Sequence, residues 1–232
     1  MILGVALGAA LLSLSASPER LELVPGAPQV VHLAHAGAPL AVDLSVTGLA
    51  VDLRGRSRVA ARSDAARWLR VAPSHVVVGP LGANVRVVAR VPRGARPGDH
   101  AAVVLVAAVA PGSSALVVHV RVGLVAIVRV PGRLVHRLEV RAARLRVAGR
   151  ARFVELVVTN RGNVVEPVGG ALPRVRLVRR GRVIAVLRPE PRDLLPHSRG
   201  LVELRYRGPA RGPAIVRVEL RRGRVRSFHL RL

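Results

Sequence analysis

The chain has 232 residues, half of them hydrophobic, with 38 basic side chains against 13 acidic ones and a formal net charge of +25. That length allows two domains of ordinary size with substantial cores; with aromatics at 2%, those cores are built from Val, Leu and Ala, a composition that favours strands. There is no cysteine, which excludes thiol catalysis and thiolate metal sites. In chain order, residues 1–14 are almost uninterruptedly apolar, and Ser13, Ser15, Ala16 and Ser17 supply small residues after them. This predicts a signal peptide over residues 1–16, cleaved after Ser15 or Ala16, although its first residues carry no Arg or Lys. It is too short to be a comfortable membrane span. Two short strands follow around Pro25-Gly26, and Val42, Leu44 and Val46 alternate with Asp43 and Ser45, the period-2 mark of a strand with one dry face. Residues 54–67 are polar and are expected to be a long connection leading to Trp68.

The stretch 68–106 is the most informative. Trp68-Leu69-Arg70-Val71-Ala72-Pro73 leads to His75-Val76-Val77-Val78-Gly79-Pro80, and Val85, Val87, Ala89 and Val91 then alternate with Arg86 and Arg90. Pro92-Arg93-Gly94-Ala95-Arg96-Pro97-Gly98-Asp99-His100 precedes an apolar run over 101–110. Pro97-Gly98 fits the central positions of a type II turn. Trp68, the single Trp, is expected to anchor the core. These residues resemble bacterial cell-envelope immunoglobulin-like domains, most of all the peptidoglycan-binding domain of the WxL-interacting protein family. More distantly they are similar to the N-terminal domain of periplasmic pilus chaperones. The likeness is best over residues 17–130 and rests on turn and packing residues, which mark a fold more than a function.

Leu116, Val118, Val120 and Val122 alternate with His119 and Arg121 in a strand running on to Val130, and Pro131-Gly132-Arg133 ends the first domain. The second domain opens on Leu138-Glu139-Val140 and Leu145-Arg146-Val147. A strand from Phe153 to Thr159 ends at Asn160-Arg161-Gly162-Asn163, residues that tolerate left-handed turns. One device occurs twice: Arg179-Arg180-Gly181-Arg182 and Arg221-Arg222-Gly223-Arg224 each join two apolar strands. A Pro-rich loop over 189–198 separates the hairpins, and Phe228, Leu230 and Leu232 alternate to the end. The expected fold class is all-β: two tandem immunoglobulin-like β-sandwiches, 17–130 and 134–232, after the signal peptide.

No catalytic, cofactor-binding or metal-binding residue is assigned, and the ligand-binding residues are unknown from sequence. There is no Gly-x-Ser-x-Gly elbow, phosphate-cradling loop with Lys, or His-Glu-x-x-His. His32 and His35 point to opposite faces of a strand, and Asp99 and Asp193 read as turn residues. All 38 basic residues are Arg, as GC-rich coding would give, and alternation with Val puts most on wet strand faces. The charge still favours an anionic partner. Nucleic acid is disfavoured, because single-strand binding needs stacking aromatics beyond Phe153, Tyr206 and Phe228, and no Arg-rich helix is visible.

The envelope resemblance implies a non-enzymatic, secreted or envelope-located binding or scaffold protein. Its partner would be a cell-wall polymer such as peptidoglycan, or an envelope protein. Members of that family commonly end in a membrane helix and a basic tail; residues up to Leu232 show neither, so no transmembrane helix is expected in the mature chain. The chaperone resemblance implies the alternative, an assembly chaperone that binds subunits by strand-edge pairing. It would require a basic pair gripping the subunit's C-terminal carboxylate, and no pair stands out among so many Arg residues.

Overall fold

Branched Val side chains pack well on a pleated surface and poorly on a helix, and the chain is accordingly nearly all β, forming two immunoglobulin-like β-sandwiches. The computed structural model describes residues 13–60, 63–111, 117–149, 151–172, 174–208 and 212–231. Residues 1–12, most of the expected signal peptide, lie outside these, as do Leu116 and Leu232. The chain divides into two compact units: residues 1–49, 59–95 and 100–130, and residues 50–58, 96–99 and 131–232. The second unit thus takes two short segments, 50–58 and 96–99, from within the stretch expected to be the first domain.

In the first unit, β1 (Ser13–Ser17), β3 (Pro28–Ala36), β8 (Ala83–Ala89) and β6 (Leu69–Ala72) form one sheet in the order β1-β3-β8-β6. The other has the order β2-β10-β9-β4-β5, from β2 (Arg20–Leu23), β10 (Val117–Val130), β9 (Gly98–Pro111), β4 (Leu40–Val51) and β5 (Ser57–Ala60), with β7 (His75–Val78) also paired to β4. Val31, Val42, Val85, Val87, Val104 and Val128 are wholly buried in the core. At about 1.5–3 kcal/mol for each large apolar side chain removed from water, such residues are the main source of stability.

Three details depart from the sequence reading. The polar connection over 54–67 contains β5 and the start of a one-turn helix, α1 (Asp64–Trp68). Ser63 caps that helix by accepting from the Ala66 N–H at 3.1 Å, and Arg67 pairs with Asp64 one turn back. Trp68 is the last residue of this helix. Its ring is half-buried on the core, tilted by 57° against His100 at 4.6 Å between centroids. The turn lies at Arg93-Gly94, closed by the Ala95 N–H on Pro92 O with Gly94 at φ 80°, rather than at Pro97-Gly98. Gly98 instead opens β9, because the chain beside it is held extended: Asp99 N–H donates to Asn163 O at 2.7 Å.

In the second unit, β11 (Leu138–Ala148), β12 (Ala151–Asn160) and β17 (Arg199–Tyr206) form one sheet. The facing order is β15-β14-β18-β19, from β14 (Arg174–Arg179), β15 (Arg182–Leu187), β18 (Pro213–Glu219) and β19 (Val225–Arg231). A short pair, β13 (Glu166–Pro167) with β16 (Asp193–Leu194), and a single helical turn, α2 (Val168–Ala171), complete it. The two segments expected at 138–140 and 145–147 are one strand, β11, with a bulge between Val140 and Ala142. The turn after β12 is not left-handed. Gly162 is required by close approach, since a Cβ there would lie 2.1 Å from Val135 O. Asn160, fully buried, holds this turn by donating to Val164 O and Leu194 O and accepting from the Gly162 N–H. Asp99 is likewise more than a turn residue: it is buried and its Oδ2 accepts from the Val165 N–H at 2.8 Å.

Register explains a buried charge. Glu155 on β12 stands opposite Arg144 of β11 and opposite Glu203 of β17. Like charges opposed across strands are destabilising, and Arg146 resolves the conflict. It bonds Glu155 and, at 2.8 Å, Glu203, while its guanidinium covers the Phe153 ring at 4.5 Å. Arg144 takes the other Glu155 oxygen at 2.6 Å. Burial pushes the Glu155 carboxyl up, but the two guanidiniums more than offset this and hold it below the ordinary carboxylate value.

Candidate functional site: the open edge of β10

In a sandwich, each sheet ends in a strand whose outer N–H and C=O groups need a partner or water. β10 is fourteen residues long, but β2 pairs with it, in parallel, only over Val125–Val128. β1 continues past that segment on the opposite sheet, bonded to β3. From Val117 to Leu124, therefore, one side of β10 pairs with β9 and, among the described residues, no strand pairs with the other.

The direction of the free groups follows from the ladder. Val125 N–H donates to Glu19 O, so Val125 faces the β2 side. With a period of two along the strand, His119, Arg121 and Gly123 direct their N–H and C=O to the same, open side. The intervening residues carry the apolar side chains. Burial deepens along the strand: Val120 and Val122 are half-buried, whereas Leu124, Ala126 and Val128 are closed over. The core is sealed where β2 covers the edge and is partly open where, among the described residues, no strand does. An added strand would gain backbone hydrogen bonds from residues 119–123 and complete the cover over Val120 and Val122. His119 and Arg121 are exposed on the outer face, so the edge is basic. Arg20, at the start of β2, is paired with Glu22 at 3.2 Å.

The other residues weighed from sequence do not converge. His32 bonds Asn84 at 3.0 Å, His75 pairs with Asp43 at 2.7 Å, and Trp68 stacks on His100. Among the described residues, no group of three or more His, Cys, Asp or Glu could hold a metal ion. No described helix is long and apolar enough to cross a membrane. The alternation of Val118, Val120 and Val122 is visible in the sequence. That one flank of this strand has no paired strand among the described residues is not, because strand pairing is set by residues a hundred positions away.

No family model matches the chain, so the resemblance to WxL-interacting proteins gains no support. No curated protein matches it either. Solved structures do match, throughout the chain's length. The class 5 fimbriae chaperone CfaA aligns over 93% of this chain and 99% of its own at 12% identity, with a TM-score of 0.54. The YadV chaperone aligns over 94% and 99% at 14% identity and a TM-score of 0.51. A chain from the complex of Salmonella enterica SafA pilin with the SafB chaperone aligns over 96% and 97% at 16% identity and a TM-score of 0.51. At such identities the likeness is one of fold.

Proposed function

We propose that this protein is a non-enzymatic, extracytoplasmic assembly chaperone that binds subunit proteins by accepting a strand along the open edge of β10. The observation that carries this reading is the edge itself: eight residues of β10 with one flank that no strand pairs with among the described residues, over half-buried Val120 and Val122. A fold shared over nearly the whole chain with fimbrial chaperones supports it and favours it over wall-polymer binding. A basic rim at His119 and Arg121 suits a partner strand with acidic residues at the facing positions, since opposite charges across strands attract.

The test is to remove one outward N–H. Arg121→Pro deletes a donor on the open side and leaves the hydrogen bonds to β9 in place, a setting in which an edge strand tolerates proline. Envelope proteins from the native host that bind the wild-type chain should be lost by Arg121→Pro with an unchanged circular dichroism spectrum. Amide exchange at Arg121 and Gly123 should slow in the complex. Equal capture by a folded Arg121→Pro variant, or unprotected amides, would refute strand addition.

A further inference from the structure

In the second sandwich, β11, an edge of one sheet, comes against β19, an edge of the other. Two adjoining cavities of about 490 and 650 Å³ open there and share Arg137, Leu138, Leu220 and Arg224 in their walls. Six arginines line them against two glutamates. Both glutamates are engaged. Glu139 holds three guanidiniums at once: Arg137 at 3.1 Å, Arg141 at 2.6 Å and Arg161 at 3.4 Å. Glu166, 2% exposed, is bonded by His136 at 3.0 Å. Across the cleft, Arg221, Arg224 and Arg226 have no carboxylate within 4.0 Å among the described residues.

Three cations gathered on one carboxylate repel one another, and a concave wall concentrates their field. The arrangement is short of negative charge, and a bound anion would supply it. The two Arg-Arg-Gly-Arg turns show that this is more than general basicity. In the first, Arg180 and Gly181 at φ 47° and 77° close a tight two-residue turn between paired Arg179 and Arg182. In the second, Leu220 is buried in the core and its N–H bonds Arg224 O at 2.7 Å. The ladder there closes only at Glu219 and Val225, so the same four residues form a longer loop that sets Arg221 and Arg224 on the cavity wall.

We propose that this cleft binds a ligand carrying at least two phosphate groups, held between Arg221 and Arg224 on one wall and the arginines fastened by Glu139 on the other. Planar guanidinium forks match phosphate oxygens in pairs, which makes arginine the suited residue. The site is separate from the β10 edge and independent of the strand-addition reading.

The probe is inorganic tripolyphosphate, titrated calorimetrically into the full chain at about 0.15 M salt, where charges more than about 8 Å apart are largely screened. The expected result is saturable one-to-one binding, weakened about tenfold or more in R221A/R224A, as loss of charge-assisted hydrogen bonds predicts. R179A/R182A removes the same charge from the other hairpin and should leave affinity unchanged. A second arm offers vesicles containing phosphatidylinositol bisphosphate; whichever probe binds in an R221A/R224A-dependent way assigns a soluble or a lipid-borne source. Binding to neither, or equal weakening by both double variants, would overturn the proposal. Circular dichroism of both variants should match the wild type, since Arg182, Arg221 and Arg224 are exposed and Arg179 is only half-buried.

Discussion

At the scale of single residues, the decisive feature is how a strongly basic chain uses its few acids. Glu155 is fully buried yet charged, because Arg144 and Arg146 bond its two oxygens. Its carboxyl lies below the ordinary value of 4.5. A depressed carboxylate contributes stability that is present above its unfolded value and lost as pH falls through its folded value. Glu155→Gln should therefore cost about 1.5–3 kcal/mol at neutral pH, the scale for hydrogen bonds to charged groups, and less to the extent that exposed Arg144 is screened. The gap from wild type should close as pH falls below 4.5. Urea unfolding across that range is the measurement, and a gap that persists in acid would rule out the linkage. Gly162 shows a second kind of residue effect, invisible locally: a glycine required by the nearby Val135 carbonyl and not by its own φ.

At the scale of elements, β1 has the largest consequence. It pairs with β3 from Ser13↔Ala36 to Ser17↔His32 and buries Leu14 in the core. Cleavage after Ser15 or Ala16 would divide this strand. We therefore expect the exported protein to be processed at or before Ser13, as N-terminal sequencing from the native host would show. A chain begun at Ser17 should lose about 1.5–3 kcal/mol, the contribution of one buried Leu, in denaturant titration. A native N-terminus at Ala16 or Ser17 with undiminished stability would count against this, and intact Met1 on cytosolic protein would count against export itself. β17 is an element that the sequence reading passes over, although the alternation of buried Val202, Leu204 and Tyr206 is a signal that could have found it.

At the scale of the whole molecule, charge outweighs every other feature. A net +25 over 232 residues opposes compaction by self-repulsion. Raising ionic strength from about 0.01 to 0.15 M shortens the screening length from about 30 to 8 Å. The melting temperature should therefore rise over that interval. A fall would mean that paired contacts such as those of Glu139 and Glu155 outweigh the general repulsion. The same excess explains why a sequence scan finds no basic site: with 38 arginines, any cluster looks like every other until the fold brings some together around one carboxylate.

What the sequence determined by itself was the local pattern. Alternation at Val85, Val87 and Ala89 specifies a strand with one buried face, and the shortage of aromatics and wealth of Val specify strand-built cores of Val, Leu and Ala. These follow from side-chain period and backbone sterics, which act between near neighbours. Only the tertiary structure decided which flank of β10 has no paired strand among the described residues, why Gly162 must be glycine, and that Arg161 joins Arg137 and Arg141 at Glu139. Each depends on segments far apart in the chain, whose pairing is fixed by the packing of the whole core and leaves no mark at the positions themselves.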